Sequence, residues 1–205
     1  MSPAERLVAL GTATLGEAAP AARILPSGLR PLAPSMKLAG PARTVRCRPG
    51  DNLALHLAIA KAFPGEVLVA DYGGSFESGP FGEIMALACQ LRGVAGLVID
   101  GTVRDSEQIA ALGLPVFARG VNIRGTTKLD RGEIGTTVTI CGTPVAPGDV
   151  VVADADAVIV IPGGEVDRAL SAAEARAARE AESMRRLRDG ESTLDILGLK
   201  EEDAP

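Results

Sequence analysis

The length, composition and charge of the chain exclude several classes of protein. Its 205 residues suffice for one domain with a sizeable core, and no obvious repeat suggests two smaller ones. The formal charge of −5, without a long basic cluster, argues against a nucleic-acid partner. The longest apolar stretches fall far below the ~20 residues that a membrane-spanning helix requires, so we expect no membrane partner either.

Cysteine usage and the N-terminus indicate a reduced, cytoplasmic protein. Glu5 and Arg6 interrupt the short apolar pieces at the N-terminus, which therefore does not resemble a signal peptide. Cys47, Cys89 and Cys141 are odd in number and widely spaced, which fits neither a disulfide framework nor a zinc site. We expect all three to be small packing residues in a core of Ala, Val, Leu and Ile.

The N-terminal part of the chain combines short helical pieces with proline and glycine. Residues 14–17 match the spacing of a capping box and residues 26–34 predict a loop, so we expect this region to wrap the domain. From Asp51, a predicted N-cap, apolar residues recur at helical spacing as far as Pro64 and Gly65. This pattern predicts a helix of about three turns.

The middle of the chain alternates short buried strands with helices. The pattern predicts a β-α-β-α-β unit with parallel strands and right-handed crossovers over residues 66–71, 81–92, 94–100, 106–112 and 115–118. In such sheets, ligands bind beyond the carboxyl ends of the strands. We therefore expect a functional site at that edge.

The C-terminal part predicts further strands and one long helix. After a polar loop at residues 120–135, strands at residues 137–141 and 149–162 suggest an antiparallel section, which would make the sheet mixed. Residues 165–188 contain no Pro or Gly and predict a long helix that ends near Gly190. Its charges are expected to face solvent or another subunit.

A glycine-rich segment at residues 71–83 leaves a strand and enters a helix. That geometry exposes backbone N–H groups to an anion. Alternatively, its four glycines merely allow tight turns. Their spacing matches neither the G-x-G-x-x-G fingerprint of dinucleotide-binding folds nor a P-loop, which needs G-K-[ST]. The segment is therefore either an anion site of another kind or a turn.

The strand after this segment ends at Asp100 and leads into Arg104 and Asp105 at the same edge of the predicted sheet. In a functional interpretation, Arg104 binds a carboxylate or enolate oxygen, and Asp105 supplies oxygen to a hard cation such as Mg²⁺. In a structural interpretation, the two side chains pair with neighbours, and Asp105 caps the helix that begins at Ser106.

Other catalytic chemistries find little support in the sequence. The only histidine, His56, lies in the helix after Asp51, where packing or loop anchoring is its expected role. No histidine lies in the glycine-rich segment to carry a phosphoryl group, and no cysteine has an evident histidine partner. We therefore expect neither phosphohistidine nor thiol catalysis.

A family resemblance is carried by residues 79–120, which read GPFGEIMALACQLRGVAGLVIDGTVRDSEQIAALGLPVFARG. This segment closely resembles the family that contains class II 4-hydroxy-4-methyl-2-oxoglutarate aldolases and regulators of ribonuclease activity A (RraA). The resemblance extends to TATLGEA, RPLAPSMKLAGPARTV and PVAPGDVVVADADAVIVIP, and so covers the chain from Leu7 to the helix after Pro162.

The resemblance implies an α/β fold of the swivelling β/β/α type with a mixed sheet. It also implies a homotrimer or hexamer with active sites between neighbouring subunits. We therefore expect a single RraA-like domain over residues 1–205, with a core from about residue 7 to 165, a C-terminal helix at about 165–189 and a short tail.

The same resemblance implies three catalytic residues. The aldolases have twenty residues between an acidic residue and an Arg-Asp pair, and Glu83 stands at that spacing before Arg104 and Asp105. Arg104 would bind the C2 oxygen of the substrate. Asp105 would hold the divalent metal ion, Mg²⁺ or Mn²⁺, directly or through water.

A substrate site at the helix start is implied as well. Gly82 and the backbone N–H groups of Ile84 and Met85 would hold the pyruvyl carboxylate, as a helix N-terminus favours. Two positions depart from the family pattern. Glu83 stands where active aldolases often have Asp, and its longer side chain is expected to shift the water that protonates the enolate. Ala157 replaces the usual Gly of a D-x-D-G-V turn, away from the proposed chemistry.

The implied function is a metal-dependent aldolase that cleaves 4-hydroxy-4-methyl-2-oxoglutarate or 4-carboxy-4-hydroxy-2-oxoadipate to pyruvate, with oxaloacetate decarboxylation as a side activity. Loops such as residues 117–128 would recognise the C4 substituents of this small oxo-acid substrate. The alternative is a non-catalytic regulator that binds and inhibits a ribonuclease, although such family members can lack the Arg-Asp pair that is intact here. A quinone-precursor methyltransferase is a third name in the family, but no glycine-rich methyl-donor loop is visible.

Overall fold

The structure is a computed structural model that describes residues 1–199. Its helices are α1 (Pro3–Ala18), α2 (Leu53–Ala60), α3 (Glu83–Leu91), α4 (Ser106–Leu112), α5 (Val166–Arg188) and α6 (Thr193–Leu197). Its strands are β1 (Arg23–Ile24), β2 (Arg30–Pro31), β3 (Leu38–Arg46), β4 (Val67–Ser75), β5 (Gly96–Val103), β6 (Val116–Ala118), β7 (Gly120–Val121), β8 (Glu133–Ile134), β9 (Val138–Ile140), β10 (Thr143–Val145), β11 (Val150–Ala153) and β12 (Val158–Ile161). None of the helices in residues 1–199 has the length and apolar character needed to cross a membrane.

One mixed sheet runs through the described residues. Its strand order is β1-β12-β11-β3-β4-β5-β6-β2, with β7 paired to β5 and β8 paired to β3. Strands β3 to β6 are parallel to one another, whereas β11, β12, β1, β2 and β8 pair antiparallel with their neighbours. Strands β9 and β10 form a separate hairpin. The expected mixed α/β architecture is therefore confirmed.

The middle of the chain has the predicted β-α-β-α-β order. Strands β4, β5 and β6 lie side by side and parallel, with Val69 opposite Val98 and Val98 opposite Phe117. All of β5 is buried, because apolar layers cover both faces of the sheet. Leu68 packs into the cluster formed with α2, α3 and α4, whereas its neighbour Val69 packs towards β9 to β12. This period of two is why short apolar runs predict these strands well.

The central strand β3 is missing from the sequence prediction, because Gly40 and Pro41 interrupt its apolar pattern. The structure gives a tertiary reason for the glycine. A Cβ on Gly40 would overlap the carbonyl oxygen of Gly65, so only glycine allows this close approach of two backbones. Pro41 pairs with Val150 of the antiparallel strand β11. Both residues therefore serve contacts that local patterns do not reveal.

The predicted capping box at residues 14–17 is wrong, because these residues lie inside α1. The helix begins at Ser2, whose hydroxyl accepts a hydrogen bond from the Glu5 N–H at 3.3 Å, while the Glu5 carboxylate accepts one from the Ser2 N–H at 2.7 Å. The helix is interrupted at Gly11, with φ 77°. The next residue donates to the carboxylate of Asp154 instead. As expected, this N-terminal region covers the domain, since α1 packs with α5 and β12.

Three predicted helices have different ends in the structure. Helix α2 stops at Ala60 and so has about two turns instead of three. Its N-cap is Asn52 rather than Asp51, although the Asp51 carboxylate accepts a hydrogen bond from the Leu53 N–H at 2.9 Å. Helix α3 begins at Glu83 instead of residue 81, because the preceding residues form the turn described below. Helix α5 agrees with prediction to within one residue at its start, and the short helix α6 after it is additional.

The predicted loops and late strands also need correction. The loop at residues 26–34 contains β2, and the loop at residues 120–135 contains β7 and β8. The predicted strand at residues 137–141 is β9, the one at residues 149–162 is divided into β11 and β12, and β10 between them is additional. Of these four strands, only β11 and β12 join the main sheet. The separate hairpin arises because Cys141, with φ 49°, turns the chain back after β9.

Candidate active site

Two glycines allow three segments of the chain to pack together beyond the end of β5. A Cβ on Gly79 would overlap the carbonyl oxygen of Asn122 and would lie 3.0 Å from the Cβ of Arg104. A Cβ on Gly82 would overlap the carboxylate of Asp105 and would lie 2.9 Å from the Arg104 Nε. These glycines therefore allow close approach to the candidate site residues.

The other two glycines of the segment have a different role. Gly73 and Gly74 adopt φ values of 65° and 69°, in the left-handed region that favours glycine. They shape the chain at the end of β4, where its register with β5 shifts. The glycines thus serve backbone conformation at residues 73–74 and close packing at residues 79 and 82, and the anion site stays a prediction.

The start of helix α3 receives its hydrogen-bond acceptor from another segment. The Glu83 N–H donates to Asp105 Oδ2 at 3.0 Å, so this carboxylate takes the place of a side-chain cap at Gly82. The Met85 N–H donates to the Gly82 carbonyl at 3.1 Å. No hydrogen bond from the Ile84 N–H is formed within residues 1–199. Of the two N–H groups expected to bind a carboxylate, the Ile84 N–H is therefore the one left for a ligand.

Arg104 and Asp105 are held where β5 meets α3 and α4. The Arg104 N–H donates to the Phe81 carbonyl at 2.9 Å, which ties it to the turn before α3. Asp105 has φ 56° and ψ 41°, a left-handed conformation that is strained for a residue with a side chain. Its side chain forms no capping hydrogen bond to α4. Asp105 therefore occupies the N-cap position of α4 as predicted, but its side chain does not cap that helix, because its carboxylate accepts the hydrogen bond from the Glu83 N–H of α3 instead.

The pair is open to solvent in the single chain. The Arg104 Nε lies 3.6 Å from Asp105 Oδ2, which is longer than a hydrogen bond. The two side chains are 39% and 40% exposed, and Glu83 is exposed beside them. Within the described residues, both contacts of the Asp105 carboxylate involve Oδ2, which leaves Oδ1 for a ligand. The structure thus brings together Glu83, Arg104 and Asp105 at the N-terminus of a helix.

A hard cation fits this donor set if it keeps most of its water ligands. Across residues 1–199, no three His, Cys, Asp or Glu side chains lie close enough to hold one metal ion together. Mg²⁺ retains several waters and is often held by one or two carboxylates, and Mn²⁺ also prefers oxygen ligands. The free oxygen of Asp105 therefore suits either ion, bound directly or through water.

A loop without any recognisable motif forms a wall beside these residues. The Asn122 Nδ2 donates to the Phe76 carbonyl at 2.6 Å, and the Gly79 N–H donates to the Arg124 carbonyl at 2.9 Å. The loop therefore lies against the glycine-rich segment. It falls within residues 117–128, which were expected to recognise the substrate. Asn122 itself could not be predicted, because a lone polar residue in a polar loop carries no sequence signal.

Several large apolar side chains on the elements around the site are exposed in the single chain. They range from 52% exposed for Phe76 to 90% for Ile123, and the group comprises Phe76, Ile84, Val121, Ile123 and Leu129. Exposed apolar groups of this kind mark surfaces for association. A subunit contact near the site, which would bury these side chains, stays a prediction.

His56 and the cysteines do not contribute to this arrangement. Burial, together with the positive charge of Lys128, lowers the pKa of His56. Burial raises the pKa of Cys47 and Cys89 to about 12, and that of Cys141 to about 11. All three cysteines are free, as expected. Their thiols stay protonated at neutral pH and are poor nucleophiles.

Comparisons with known proteins agree with the geometry. The sequence matches the family described as RraA-like, Aldolase/RraA, over residues 12–160. A protein from Halalkalibacterium halodurans, provisionally named a 4-hydroxy-4-methyl-2-oxoglutarate aldolase, is 37% identical over 165 residues, which are 80% of this chain and 79% of that protein.

Two solved structures share the fold at lower identity. The RNA-processing inhibitor RraA from Thermus thermophilis has a TM-score of 0.69 and 28% identity, covering 74% of this chain and 92% of that one. Streptomyces coelicolor RraAS2, an unusual member of the RNase ES inhibitor RraA protein family, has a TM-score of 0.75 and 26% identity, covering 90% of this chain and 95% of that one. On its sequence match, its relatives and its fold, the chain belongs to the RraA-like family of aldolases and RraA proteins.

Proposed function

We propose that this protein is a cytoplasmic, divalent-metal-dependent class II aldolase that cleaves 4-hydroxy-4-methyl-2-oxoglutarate or 4-carboxy-4-hydroxy-2-oxoadipate to pyruvate. Oxaloacetate decarboxylation is the side activity, because both reactions pass through the enolate of pyruvate. The observation that carries the proposal is the open pair of Arg104 and Asp105 against the N-terminus of α3. The name of the Halalkalibacterium relative supports the same activity.

The substrate's pyruvyl carboxylate would bind at the start of α3. The Ile84 N–H has no other partner within residues 1–199, and the positive end of the helix dipole favours an anion there. Gly82 leaves the approach free of a side chain, and the buried side chain of Met85 anchors the first turn. Arg104 would bind the C2 oxygen with its planar guanidinium and stabilise the negative charge of the enolate.

Asp105 and Glu83 would supply the remaining chemistry. Asp105 would hold Mg²⁺ or Mn²⁺, which as a Lewis acid polarises the 2-oxo group. During cleavage the C4 hydroxyl loses its proton and becomes a carbonyl group as the C3–C4 bond breaks. The electron pair of that bond forms the enolate. The exposed Glu83 carboxylate would orient a water that accepts the hydroxyl proton and later returns a proton to C3, which gives pyruvate.

The direct experiment is a measurement of pyruvate release from the two aldol substrates and from oxaloacetate. Each reaction is run with added Mg²⁺ or Mn²⁺ and again with a chelator. We expect release that the chelator abolishes and that either metal restores. If folded protein releases no pyruvate from any of the three substrates, the aldolase proposal fails.

A second candidate function is regulation of a ribonuclease by binding. The fold shared with the Thermus RNA-processing inhibitor favours it, whereas the intact Arg104 and Asp105 pair favours the enzyme. A pull-down against a purified ribonuclease, combined with an RNA-cleavage assay, separates the two. Stable binding that slows cleavage, by a protein without pyruvate release, would support the regulator.

We also propose that the protein assembles as a homotrimer or hexamer with the site near a subunit contact. The exposed Phe76, Ile84 and Ile123 support this proposal, because apolar side chains of this size gain by burial in an interface. Size-exclusion chromatography with light scattering measures the mass directly. A monomer at micromolar concentration would contradict the assembly.

A further inference from the structure

Two adjacent polar residues are buried beneath the candidate site. Asp51 and Asn52 stand at the start of α2 and are only 3% and 4% exposed. The sequence pattern assigns Asp51 to helix capping, and its carboxylate does accept a hydrogen bond from the Leu53 N–H. The Asn52 side chain, however, makes no capping bond to its helix. Its amide must therefore serve another part of the molecule.

The Asn52 amide holds the turn that leads into α3. Its Nδ2 donates to the Pro80 carbonyl at 2.8 Å and lies 3.8 Å from the Met85 sulfur. Pro80 comes two residues before Gly82, where the candidate anion site begins. The Asn52 Oδ1 is buried and has no hydrogen-bond partner within residues 1–199. A buried, unpaired carbonyl oxygen destabilises a fold, so stability alone does not account for this side chain.

Asp51 holds the opposite wall of the site. Its carboxylate accepts hydrogen bonds from the Thr127 hydroxyl at 2.5 Å and from the Leu129 N–H at 2.6 Å. The Asn52 N–H donates to the Thr127 carbonyl at 3.0 Å, and the Thr127 N–H donates to the Gly50 carbonyl at 2.9 Å. The loop held in this way is the one whose earlier residues lie against the glycine-rich segment.

We infer that Asp51 and Asn52 act as a positioning pair, which fixes the first turn of α3 through Pro80 and the adjacent loop through Thr127. Neither residue touches the substrate in this assignment. Without the hydrogen bond from Asn52, residues 80–82 can shift, and with them the Ile84 N–H proposed to bind the carboxylate. The consequence for activity rests on the proposed aldolase function, whereas the consequence for local order does not.

The test compares Asn52→Ala with a matched control, Thr44→Val. Thr44 is fully buried and donates to the Thr136 carbonyl at 2.7 Å, so it too is a buried side chain bonded to a backbone carbonyl. We expect Asn52→Ala to raise KM for oxaloacetate about 10-fold, and Thr44→Val to leave KM unchanged. A merely structural loss would lower the active fraction, and so the apparent kcat, without changing KM. An unchanged KM in Asn52→Ala with active wild type would overturn the inference.

A second variant and a second measurement keep the outcome independent of folding and of activity. Asn52→Gln retains an amide donor and should recover part of the lost affinity. Hydrogen–deuterium exchange over residues 80–86 should quicken in Asn52→Ala and stay as in wild type in Thr44→Val. If wild type proves inactive, the proposed function fails while exchange still decides the positioning role. Unchanged exchange over residues 80–86 would overturn that role.

Discussion

Two arginine–aspartate pairs lie at the same edge of the sheet, and they differ in how far they are closed to solvent. Asp100 lies in β5, Arg119 follows β6, and the Arg119 Nε donates to Asp100 Oδ1, with side chains only 26% and 8% exposed for Arg119 and Asp100. The Arg104 and Asp105 side chains are 39% and 40% exposed and 3.6 Å apart. The second pair alone leaves a guanidinium and a carboxylate accessible to a ligand.

The closed pair makes further contacts to the β9–β10 hairpin and to Phe76. The second oxygen of Asp100 accepts a hydrogen bond from the Cys141 N–H at 2.8 Å, and the Arg119 guanidinium lies over the Phe76 ring at 6.0 Å from its centre. Asp105, in contrast, keeps one free oxygen and a left-handed backbone. Removing one partner of a buried pair leaves the other charge uncompensated, whereas exposure and backbone strain are typical of functional sites. We therefore expect the two pairs to have different roles, although their composition is identical.

The largest expected effect is on stability, in Asp100→Ala. The substitution leaves the Arg119 guanidinium without its partner and the Cys141 N–H without its acceptor, so we expect a loss of about 3 kcal/mol in the free energy of unfolding. Urea unfolding followed by circular dichroism measures it. Asp105→Ala is the matched control and should lose only about 1 kcal/mol, the usual cost of removing a capping side chain, because its carboxylate is partly exposed and accepts one hydrogen bond, from the Glu83 N–H. Equal losses would contradict the distinction between the pairs.

The largest effect on activity is expected at the open pair, Arg104 and Asp105. We expect Arg104→Ala and Asp105→Ala each to lower turnover by at least ~100-fold, about 2.7 kcal/mol, because each removes a major electrostatic contact of the enolate. Pyruvate release from oxaloacetate measures turnover, and circular dichroism checks the fold. Arg168→Ala is the control for loss of an arginine, because Arg168 lies in the first turn of α5, where it pairs with Glu165. Near-normal rates in either site variant would remove the pair from the mechanism.

A smaller effect is expected at Glu83, beside the open pair. Glu83→Gln removes the charge that would orient the catalytic water, so turnover should fall about 10-fold, which is less than for a group that transfers the proton directly, because a water intervenes. Glu83→Asp restores the residue common in active aldolases and should keep or raise turnover. The rates are compared at saturating oxaloacetate. Equal turnover in Glu83→Gln and wild type would show that the carboxylate has no role in proton transfer.

The sequence predicts the open pair, Arg104 and Asp105, but not the closed pair, Asp100 and Arg119. Strands β4 to β6 follow from local pattern, because short apolar runs bounded by Gly and Pro are buried on both faces of the sheet. Arg104 and Asp105 stand out because they follow such a strand at the edge where ligands bind. Asp100 and Arg119 carry no comparable signal, because their pairing depends on two strand ends and a hairpin that meet only in the folded chain.

Tertiary contacts also explain the incorrect predictions. The cap on α4 was the natural local interpretation of Asp105, yet its carboxylate serves the Glu83 N–H, which lies 22 residues earlier in the chain. Strand β3 was not predicted, because Gly40 is required by the close approach of the Gly65 backbone and not by its own segment. In both places the role of a residue depends on a contact with a residue that is distant in the sequence. Local propensity cannot contain that information.

Asp51 is buried and hydrogen-bonded, as Asp100 is, and the pH dependence of stability should show this. Burial alone would raise its pKa, but hydrogen bonds from Thr127, Leu53 and Leu129 lower the pKa to about 2. Because this value lies below the ordinary value of 3.8, the stabilisation is complete above about pH 4 and is lost as the pH falls towards 2. Asp51→Asn should flatten that part of the curve when unfolding midpoints are measured from pH 2 to 6. Curves of the same shape for Asp51→Asn and wild type would show that the ionised Asp51 carboxylate does not stabilise the fold.

The smallest effect concerns the Cys141 thiol, which reports on the closed pair. Burial and the charge of Asp100 raise the pKa of Cys141 to about 11, against the lowering effect of Arg119. At pH 8 only about 0.1% is thiolate, so alkylation by iodoacetamide should be slow. Asp100→Asn removes the negative charge and should speed labelling of Cys141 a few-fold by mass spectrometry, whereas Asp105→Asn should not. If both variants label at the same rate, the charge of Asp100 has no special effect on the Cys141 thiol. Burial would then no longer distinguish Asp100 from Asp105.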